Sequence, residues 1–194
     1  MAHPRNGRPF VVGLGGVAGS SSSTERALAI ALKAVEARGV DTQLFGGEFL
    51  GALPIYAPKA TSRSPEELAF VETVRRADGL IIASPGYHGS ISGVIKNALD
   101  LLEETARDGR VYLSGMPVGL VVTAYGWQAT GSTIATLRSI VHALRGWPTP
   151  MAAAINSSQS RFGEDGVCDD PGAVAQLALV GDQVADFLQL KMSA

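Results

Sequence analysis

The chain has 194 residues, the length of one average domain, and hydrophobic residues make up 46% of it, enough to bury a core. Its 16 lysines and arginines and 18 aspartates and glutamates give a formal net charge of -2, which excludes the basic field of a nucleic-acid binder. The single cysteine, Cys168, excludes an internal disulfide, and the three scattered histidines form no metal-ligand pattern.

The amino-terminal residues do not resemble a signal peptide. Residues 1–9 are polar, and the apolar stretch that follows them is shorter than an export signal needs. No apolar run approaches the length of about 18–20 residues that spans a membrane. We therefore expect a cytoplasmic protein with one domain over residues 1–194, whose mobile parts are residues 1–9 and 157–168.

Five short segments have the composition of β-strands. Four are apolar runs bounded by glycine or proline without strict alternation, which is typical of strands covered on both faces in a parallel sheet. The fifth alternates between apolar and polar residues, as an edge strand does. The four apolar segments are residues 10–14, 79–83, 117–123 and 151–155, and the alternating segment is 40–45.

Five segments with helical periodicity follow these strands. The first, residues 24–38, has one apolar face and is followed by Gly39, a typical C-terminal cap. The second begins at a capping box formed by Ser64 and Glu67 and extends to about residue 77. The other predicted helices are residues 93–104, 132–145 and 170–191.

The regular alternation of strand and helix predicts the doubly wound α/β class, a parallel sheet with helices on both faces. Five such units in this length favour a flavodoxin-like, five-stranded parallel sheet in the order 2-1-3-4-5 over a six-stranded dinucleotide-binding fold. In such sheets ligands bind beyond the carboxyl ends of the strands, where the strand order reverses. That rule points to the loops after the first, third and fourth strands.

The loop after the first strand, residues 15–24, is rich in glycine and serine and leads directly into a helix. Glycines let backbone N–H groups turn toward a ligand, and the helix N-terminus adds a partial positive charge. We interpret this loop as an anion site that needs no lysine, although neither the nucleotide-triphosphate pattern nor G-x-G-x-x-G fits it. The alternative interpretation is a serine-rich turn that only caps the helix.

The loop after the third strand, residues 84–93, combines a proline, several glycines and an aromatic residue. Tyr87 offers an aromatic face, and Gly89 and Ser90 expose backbone N–H groups. A planar heterocycle needs such a surface, with a flat face for stacking and donors for its carbonyl oxygens. The alternative is an ordinary turn in which Tyr87 packs on the core.

Residues 84–102 resemble the flavin-ring loop and following helix of the NAD(P)H-dependent FMN reductases. The family pattern is P-x-Y-N-G-S-x-P-G-x-L-K-N-x-[IL]-D, and His88 stands where the family usually has asparagine. The positions that match it are Pro85, Tyr87, Gly89, Ser90, Gly93, Lys96, Asn97 and Asp100. The resemblance covers roughly residues 10–155, so it includes all three candidate loops.

The first loop is less similar to the family's phosphate loop, G-S-x-R-x-x-S-x-[NT]. Ser22 and Thr24 match it, whereas Val17 replaces a serine and Gly19 replaces the arginine. The loss of that arginine is expected to weaken phosphate binding and puts a preference for NADPH over NADH in doubt.

The resemblance implies a flavodoxin-like enzyme that passes a hydride from NADPH or NADH to FMN and then electrons to a small-molecule acceptor, such as free flavin or a quinone. It also implies a homodimer or homotetramer and a flavin-dependent monooxygenase as a potential recipient of reduced flavin. No side chain is required as an acid or base, so no catalytic residue and no metal are assigned. The cofactor-binding residues that it implies are Gly19, Ser20, Ser22, Ser23, Thr24, Pro85, Gly86, Tyr87, His88, Gly89, Ser90, Thr123, Ala124, Tyr125 and Gly126.

The loop after the fourth strand, predicted over residues 123–131, is bulkier than the glycine-rich loop of the family. Tyr125 and Trp127 either narrow the pocket above the flavin ring or pack in a subunit contact. Trp147 is expected in the core or an interface rather than in the site. Cys168 lies far from these loops and receives no catalytic role.

Two other functions remain open at this point. One is a flavodoxin-type electron carrier without its own nicotinamide oxidation, against which the small net charge argues, because such carriers dock through strongly acidic surfaces. The other is a flavin-binding module that has lost its activity, an alternative suggested by Val17 and Gly19.

Overall fold

A computed structural model describes residues 7–19 and 21–193 as a sheet between two layers of helices. The strands are β1 (Phe10–Gly15), β2 (Asp41–Phe45), β3 (Gly79–Tyr87), β4 (Ser90–Ile91), β5 (Pro117–Ala124) and β6 (Trp147–Asn156). The helices are α1 (Ser23–Ala37), α2 (Gly47–Ala52), α3 (Pro65–Arg76), α4 (Gly93–Asp100), α5 (Trp127–Ala143) and α6 (Pro171–Met192), and a 3-10 helix (Leu101–Thr105) continues α4.

Five strands pair in parallel in the order β2-β1-β3-β5-β6. The two-residue strand β4 lies off this path and pairs antiparallel with the end of β3. Without β4, the order is 2-1-3-4-5, so the prediction of a flavodoxin-like doubly wound sheet is confirmed. The alternating segment forms β2, which lies at an edge as expected.

The sheet carries an apolar core on each face. On one face, Leu80, Ile82 and Leu120 pack with residues of α3, α4 and α5. On the other face, Ile81 and Val121 pack with residues of α1 and α6. Successive residues of the central strands therefore point into opposite cores, which explains why their sequences do not alternate.

Several predicted boundaries were wrong. Helix α5 begins at Trp127 rather than at residue 132, so the loop predicted over 123–131 contains only Tyr125 and Gly126. The first turns of α5 contain glycine and threonine, which are weak helix formers, but Thr130 and Thr133 are buried against the sheet.

The elements that the sequence did not predict are α2 and β4, which are too short to show a periodicity.

Strand β6 begins at Trp147 rather than at residue 151, although two prolines lie in the added part. An edge strand tolerates proline because half of its N–H groups have no partner strand. The exposed fraction of Trp147 is 61%, so it does not lie in the core; its ring lies 6.2 Å from that of Phe187, centroid to centroid.

Side chains from two helices cover the open edge of β6. Arg138 of α5 donates from Nη1 to the Thr149 carbonyl (3.1 Å) and from Nη2 to the Pro150 carbonyl (2.8 Å). Gln183 of α6 accepts from the Met151 amide at 2.8 Å. Residues 149–151 lie where the register between β5 and β6 shifts, so these bonds satisfy backbone groups of the edge strand that β5 does not pair with.

The segment 157–168 makes several contacts with its surroundings. Phe162 and Cys168 form an isolated antiparallel bridge, and Ser160 donates to the Asp170 carboxylate at 2.7 Å. Its mobility stays a prediction, as does that of residues 1–9, of which 1–6 lie outside the described residues.

None of the described helices is long and apolar enough to cross a membrane. Within the same residues, no group of three or more histidine, cysteine, aspartate or glutamate side chains is arranged to hold a metal ion.

Candidate functional site

The carboxyl ends of β1, β3 and β5 bring the three candidate loops together at one edge of the sheet. Gly15 lies beside Ala83, and Pro85 lies beside Thr123, in the parallel register. The buried hydroxyls of Thr24 and Thr123 share a hydrogen bond of 2.6 Å, which joins the first loop to the third. The site therefore occupies the point at which the strand order reverses.

The first loop holds three residues with positive φ in its described part. Gly16 has φ 126°, Gly19 has φ 109° and Ser21 has φ 60°, so the backbone turns sharply before α1. A Cβ added at Gly19 would meet no atom within 4 Å, so the backbone there borders open space. Ser20, one of the predicted cofactor residues, lies outside the described residues.

Ser22 begins α1 as its N-cap. Its Oγ accepts from the Glu25 amide at 3.2 Å, and Ser23 and Thr24 form the first turn behind it. The amides of a first helical turn have no acceptor within the helix, and together with the helix dipole they favour an anion. The capping interpretation and the anion-site interpretation are therefore compatible.

Helix α2 lies directly against the first loop, a contact that the sequence analysis missed. The Gly47 amide donates to Glu25 Oε2 at 2.8 Å, and a Cβ added at Gly47 would lie only 1.7 Å from the Val17 carbonyl oxygen. Only glycine permits such an approach of two backbones. In the sequence, the two adjacent glycines at positions 46 and 47, directly after a predicted strand, are the signal that could have indicated this close contact.

The second loop is a β-hairpin that extends β3 beyond the sheet. Tyr87 pairs with Ser90, and the two residues between them, His88 (φ 50°) and Gly89 (φ 82°), both lie in the left-handed region. Such a two-residue turn is typical of type I′ hairpins, in which asparagine followed by glycine is preferred. Histidine tolerates this conformation better than most residues, so His88 preserves the turn.

This geometry predicts how His88 responds to substitution. His88→Asn is expected to change the free energy of unfolding by less than about 0.5 kcal/mol, whereas His88→Val lowers it by about 1–2 kcal/mol, because a β-branched residue is strained at positive φ. Thermal unfolding of both variants is the measurement. Equal losses in the two would contradict the assigned turn and indicate an interaction of the imidazole itself.

Buried hydroxyls hold the hairpin against the fold. Ser84 Oγ accepts from the Ser92 amide at 3.0 Å and donates to the Pro85 carbonyl at 2.9 Å. Thr133 of α5 donates to the Ser90 carbonyl at 3.4 Å, and a Cβ at Gly86 would lie 2.8 Å from Thr133 Oγ1. The hairpin is therefore fixed at its base from both sides.

Three residues matched in the helix after the hairpin have structural roles. The Asn97 side chain donates to the Pro54 carbonyl (2.9 Å) and accepts from the Tyr56 amide (2.7 Å), which holds the segment before α3. Lys96 and Asp100 form an exposed ion pair at 2.6 Å, as their spacing predicts.

Three aromatic side chains in and directly after the second and third loops are exposed. Tyr87 is 53% exposed, so the alternative in which it packs on the core was wrong. Tyr125 is 85% exposed and Trp127 is 55% exposed at the start of α5. The site thus opens toward a rim of aromatic surface formed by Tyr87, Tyr125 and Trp127, whose exposure fits both a pocket wall and a subunit contact.

The three loops present hydroxyls and backbone amides but no charged side chain. Residues 15–24, 84–92 and 123–126 contain no aspartate, glutamate, lysine or arginine. Cys168 is buried, and burial raises the pKa of its thiol above the ordinary value, which disfavours the reactive thiolate. The arrangement suits the binding of a polar, planar ligand and offers no carboxylate for acid–base chemistry.

The chain matches known proteins in sequence. The family model described as NADPH-dependent FMN reductase matches residues 10–160. The FMN-dependent NADPH-azoreductase of Staphylococcus haemolyticus is 34% identical over 121 residues, which cover 61% of this chain and 61% of that protein. The FMN reductase (NADPH) of Escherichia coli is 32% identical over 125 residues, 64% of this chain and 56% of that protein. The aligned part is less than two thirds of either relative's own length.

Solved structures share the fold at lower identity. The apo form of the NADH:FMN oxidoreductase EmoB superposes with a TM-score of 0.71 at 22% identity and covers 91% of this chain and 88% of that one. The NAD(P)H:acceptor oxidoreductase FerB of Paracoccus denitrificans gives a TM-score of 0.72 at 21% identity and covers 93% and 97%. At this identity the likeness concerns the fold alone.

Proposed function

The chain belongs to the family of NADPH-dependent FMN reductases, and on that premise we propose that it is an FMN-dependent oxidoreductase driven by NADPH or NADH. The observation that carries the proposal is the meeting of three uncharged, amide-rich loops at the switch point of the sheet. The electron carrier and the inactive binding module have no comparable observation in their favour.

The residues of the site fit FMN. Its phosphate would lie at the first loop, held by the amides and hydroxyls of Ser22, Ser23 and Thr24, with Gly19 open beside them and Ser20 as a further candidate. Because the hydroxyls of Thr24 and Thr123 bond to each other, only one of the two retains a proton for a ligand.

The flavin ring would lie against the second and third loops. The residues proposed to border it are Pro85, Gly86, Tyr87, His88, Gly89 and Ser90 of the hairpin, and Thr123, Ala124, Tyr125 and Gly126 after β5. A Cβ added at Gly89 or Gly126 would meet no atom within 4 Å, which leaves these amides accessible. Such amides suit the carbonyl oxygens of a flat heterocycle.

When bound, FMN supplies the redox chemistry, which transfers a hydride from the nicotinamide and electrons to the acceptor. The protein binds and orients, and its loops exclude water. We propose no catalytic acid or base, because the three loops contain no carboxylate or amine. His88 is the one imidazole in the sequence of these loops, and it lies in an exposed turn.

The exposed aromatic rim supports a planar small-molecule acceptor, such as free flavin, a quinone or an azo compound. Tyr87 is the last residue of β3, Tyr125 directly follows the adjacent strand β5, and Trp127 is the first residue of α5. A flavin-dependent monooxygenase is the proposed recipient of reduced flavin, and the proposed location is the cytoplasm.

The same aromatic rim supports a homodimer or homotetramer, since tyrosine and tryptophan are enriched at interfaces. A monomer in light scattering at working concentration would contradict that assembly.

The experiment that tests the proposal is anaerobic bleaching of the FMN-loaded protein by NADPH and, separately, by NADH. Rapid bleaching is expected with at least one nucleotide, and the ratio of the two rates gives the preference. Dithionite, which reduces accessible flavin chemically, serves as the control. Flavin that dithionite bleaches and both nucleotides leave oxidised would indicate the electron carrier, and an FMN affinity no better than that of an unrelated protein would overturn the proposed cofactor.

The position of the phosphate is tested by Ser22→Asp. Aspartate caps a helix as well as serine does, so the thermal midpoint is expected to change little. Its negative charge, however, repels a phosphate at the same place, and we expect about tenfold weaker FMN binding with riboflavin binding unchanged. Equal FMN affinities of the variant and the wild type would contradict the proposed phosphate site.

A further inference from the structure

Arg26 connects the first loop to a distant part of the chain. It lies in the first turns of α1, where its Nη2 donates to Ser21 Oγ at 3.0 Å and its Nη1 donates to the Phe162 carbonyl at 2.8 Å. One guanidinium therefore bonds at once to the loop after β1 and to the segment 157–168.

Ser21 has a conformation that needs such support. Its φ of 60° lies in the left-handed region, which residues other than glycine rarely adopt unless the surrounding structure holds them. The bond from Arg26 restrains the side chain of this residue and so favours its backbone conformation. Since the serine oxygen accepts from the guanidinium, the hydroxyl keeps its own proton for another acceptor.

The guanidinium also has an unsatisfied donor. Nε of Arg26 is buried and is the only buried side-chain nitrogen or oxygen without a hydrogen-bond partner among the residues described. The guanidinium therefore lies beside the loop at the expense of one buried N–H that has no acceptor. The neighbouring carboxylate, Glu25, is engaged with the Gly47 amide.

We propose that Arg26 is the positioning residue of the phosphate loop, acting on the phosphate of FMN through Ser21. It holds Ser21 in its left-handed conformation, increases the donor strength of the hydroxyl, and supplies positive charge to a loop that has no lysine or arginine of its own. The inference rests on the proposed function, because it presupposes that the loop binds the FMN phosphate.

A merely structural clamp would have a different effect on ligands. If Arg26 only fastened the segment 157–168 through Phe162, its loss would weaken every ligand of the site to a similar extent. If it acts on the phosphate, its loss weakens FMN and spares riboflavin, which has the same ring without the phosphate. The ratio of the two dissociation constants therefore separates the two roles.

The experiment measures the dissociation constants of FMN and riboflavin by fluorescence titration for the wild type, Arg26→Gln and Arg26→Lys. Arg26→Gln is expected to weaken FMN about tenfold or more and riboflavin less than about twofold, with Arg26→Lys in between. The matched control is Arg38→Gln, just beyond the other end of α1, where Arg38 pairs with Asp182 and Asp186; it is expected to leave the ratio unchanged.

A second variant keeps the test decisive if Arg26→Gln folds poorly. Ser21→Ala removes the hydroxyl alone, leaves Arg26 in place, and is expected to weaken FMN selectively, with riboflavin affinity changed by less than about twofold. Equal weakening of both flavins, or unchanged FMN affinity in both variants, overturns the inference. A wild-type protein that binds neither flavin instead overturns the proposed function.

Discussion

Replacing Gly47 with alanine is expected to displace the phosphate loop and to weaken FMN binding about fivefold to a hundredfold. The added Cβ would lie 1.7 Å from the Val17 carbonyl oxygen and 2.6 Å from that of Gly19. Both are backbone atoms, so no side-chain rotation relieves the clash and the loop itself must move. Overpacking of this kind costs about 1–3 kcal/mol, and each 1.4 kcal/mol lost from binding corresponds to a factor of ten in affinity.

Fluorescence titration with FMN, together with thermal unfolding, measures this effect. Gly109→Ala is the matched control, because a Cβ there would meet no atom within 4 Å. The control is expected to bind FMN like the wild type. A Gly47→Ala variant with wild-type affinity would show that the contact with α2 does not shape the phosphate loop.

The second large effect is expected for Thr123→Val, which should lower the free energy of unfolding by about 1–2 kcal/mol. Valine has nearly the shape of threonine and suits a strand, so packing changes little. The loss arises because the buried hydroxyl of Thr24 then has no partner in place of its 2.6 Å bond to Thr123. An orphaned buried polar group costs more than the net gain from an intact bond.

A double-mutant cycle in chemical denaturation tests this explanation. The combination of Thr24→Val with Thr123→Val is expected to be less destabilising than the sum of the single changes, because no unpaired hydroxyl remains. Thr136→Val is the control, since that hydroxyl bonds to the Ser132 carbonyl within its own helix. Strict additivity of the pair would show that the two threonines do not depend on each other.

The sequence predicted the features that depend on local patterns. The apolar runs predicted the parallel strands, and the number and order of these strands predicted the point at which the strand order reverses. Ser64 and Glu67 form the predicted capping box, with Pro65 at the start of α3. The motif in residues 84–102 also predicted the family resemblance, because a proline, an aromatic residue and glycines at fixed spacing form a specific pattern.

The remaining features depend on contacts between distant residues. Thr24 and Thr123 are 99 positions apart, and Arg26 and Phe162 are 136 positions apart, so no local periodicity links them. Helix α2 has six residues and β4 has two, both below the length at which a pattern is visible. The roles of Arg26 and Gly47 emerge only when the chain is folded.

The covered edge of β6 has a consequence for how the protein behaves at high concentration. Because Arg138 and Gln183 already occupy backbone groups of Thr149, Pro150 and Met151, a second copy that added a strand there would first have to break those bonds. Filament growth by continuing the sheet is therefore disfavoured at this edge.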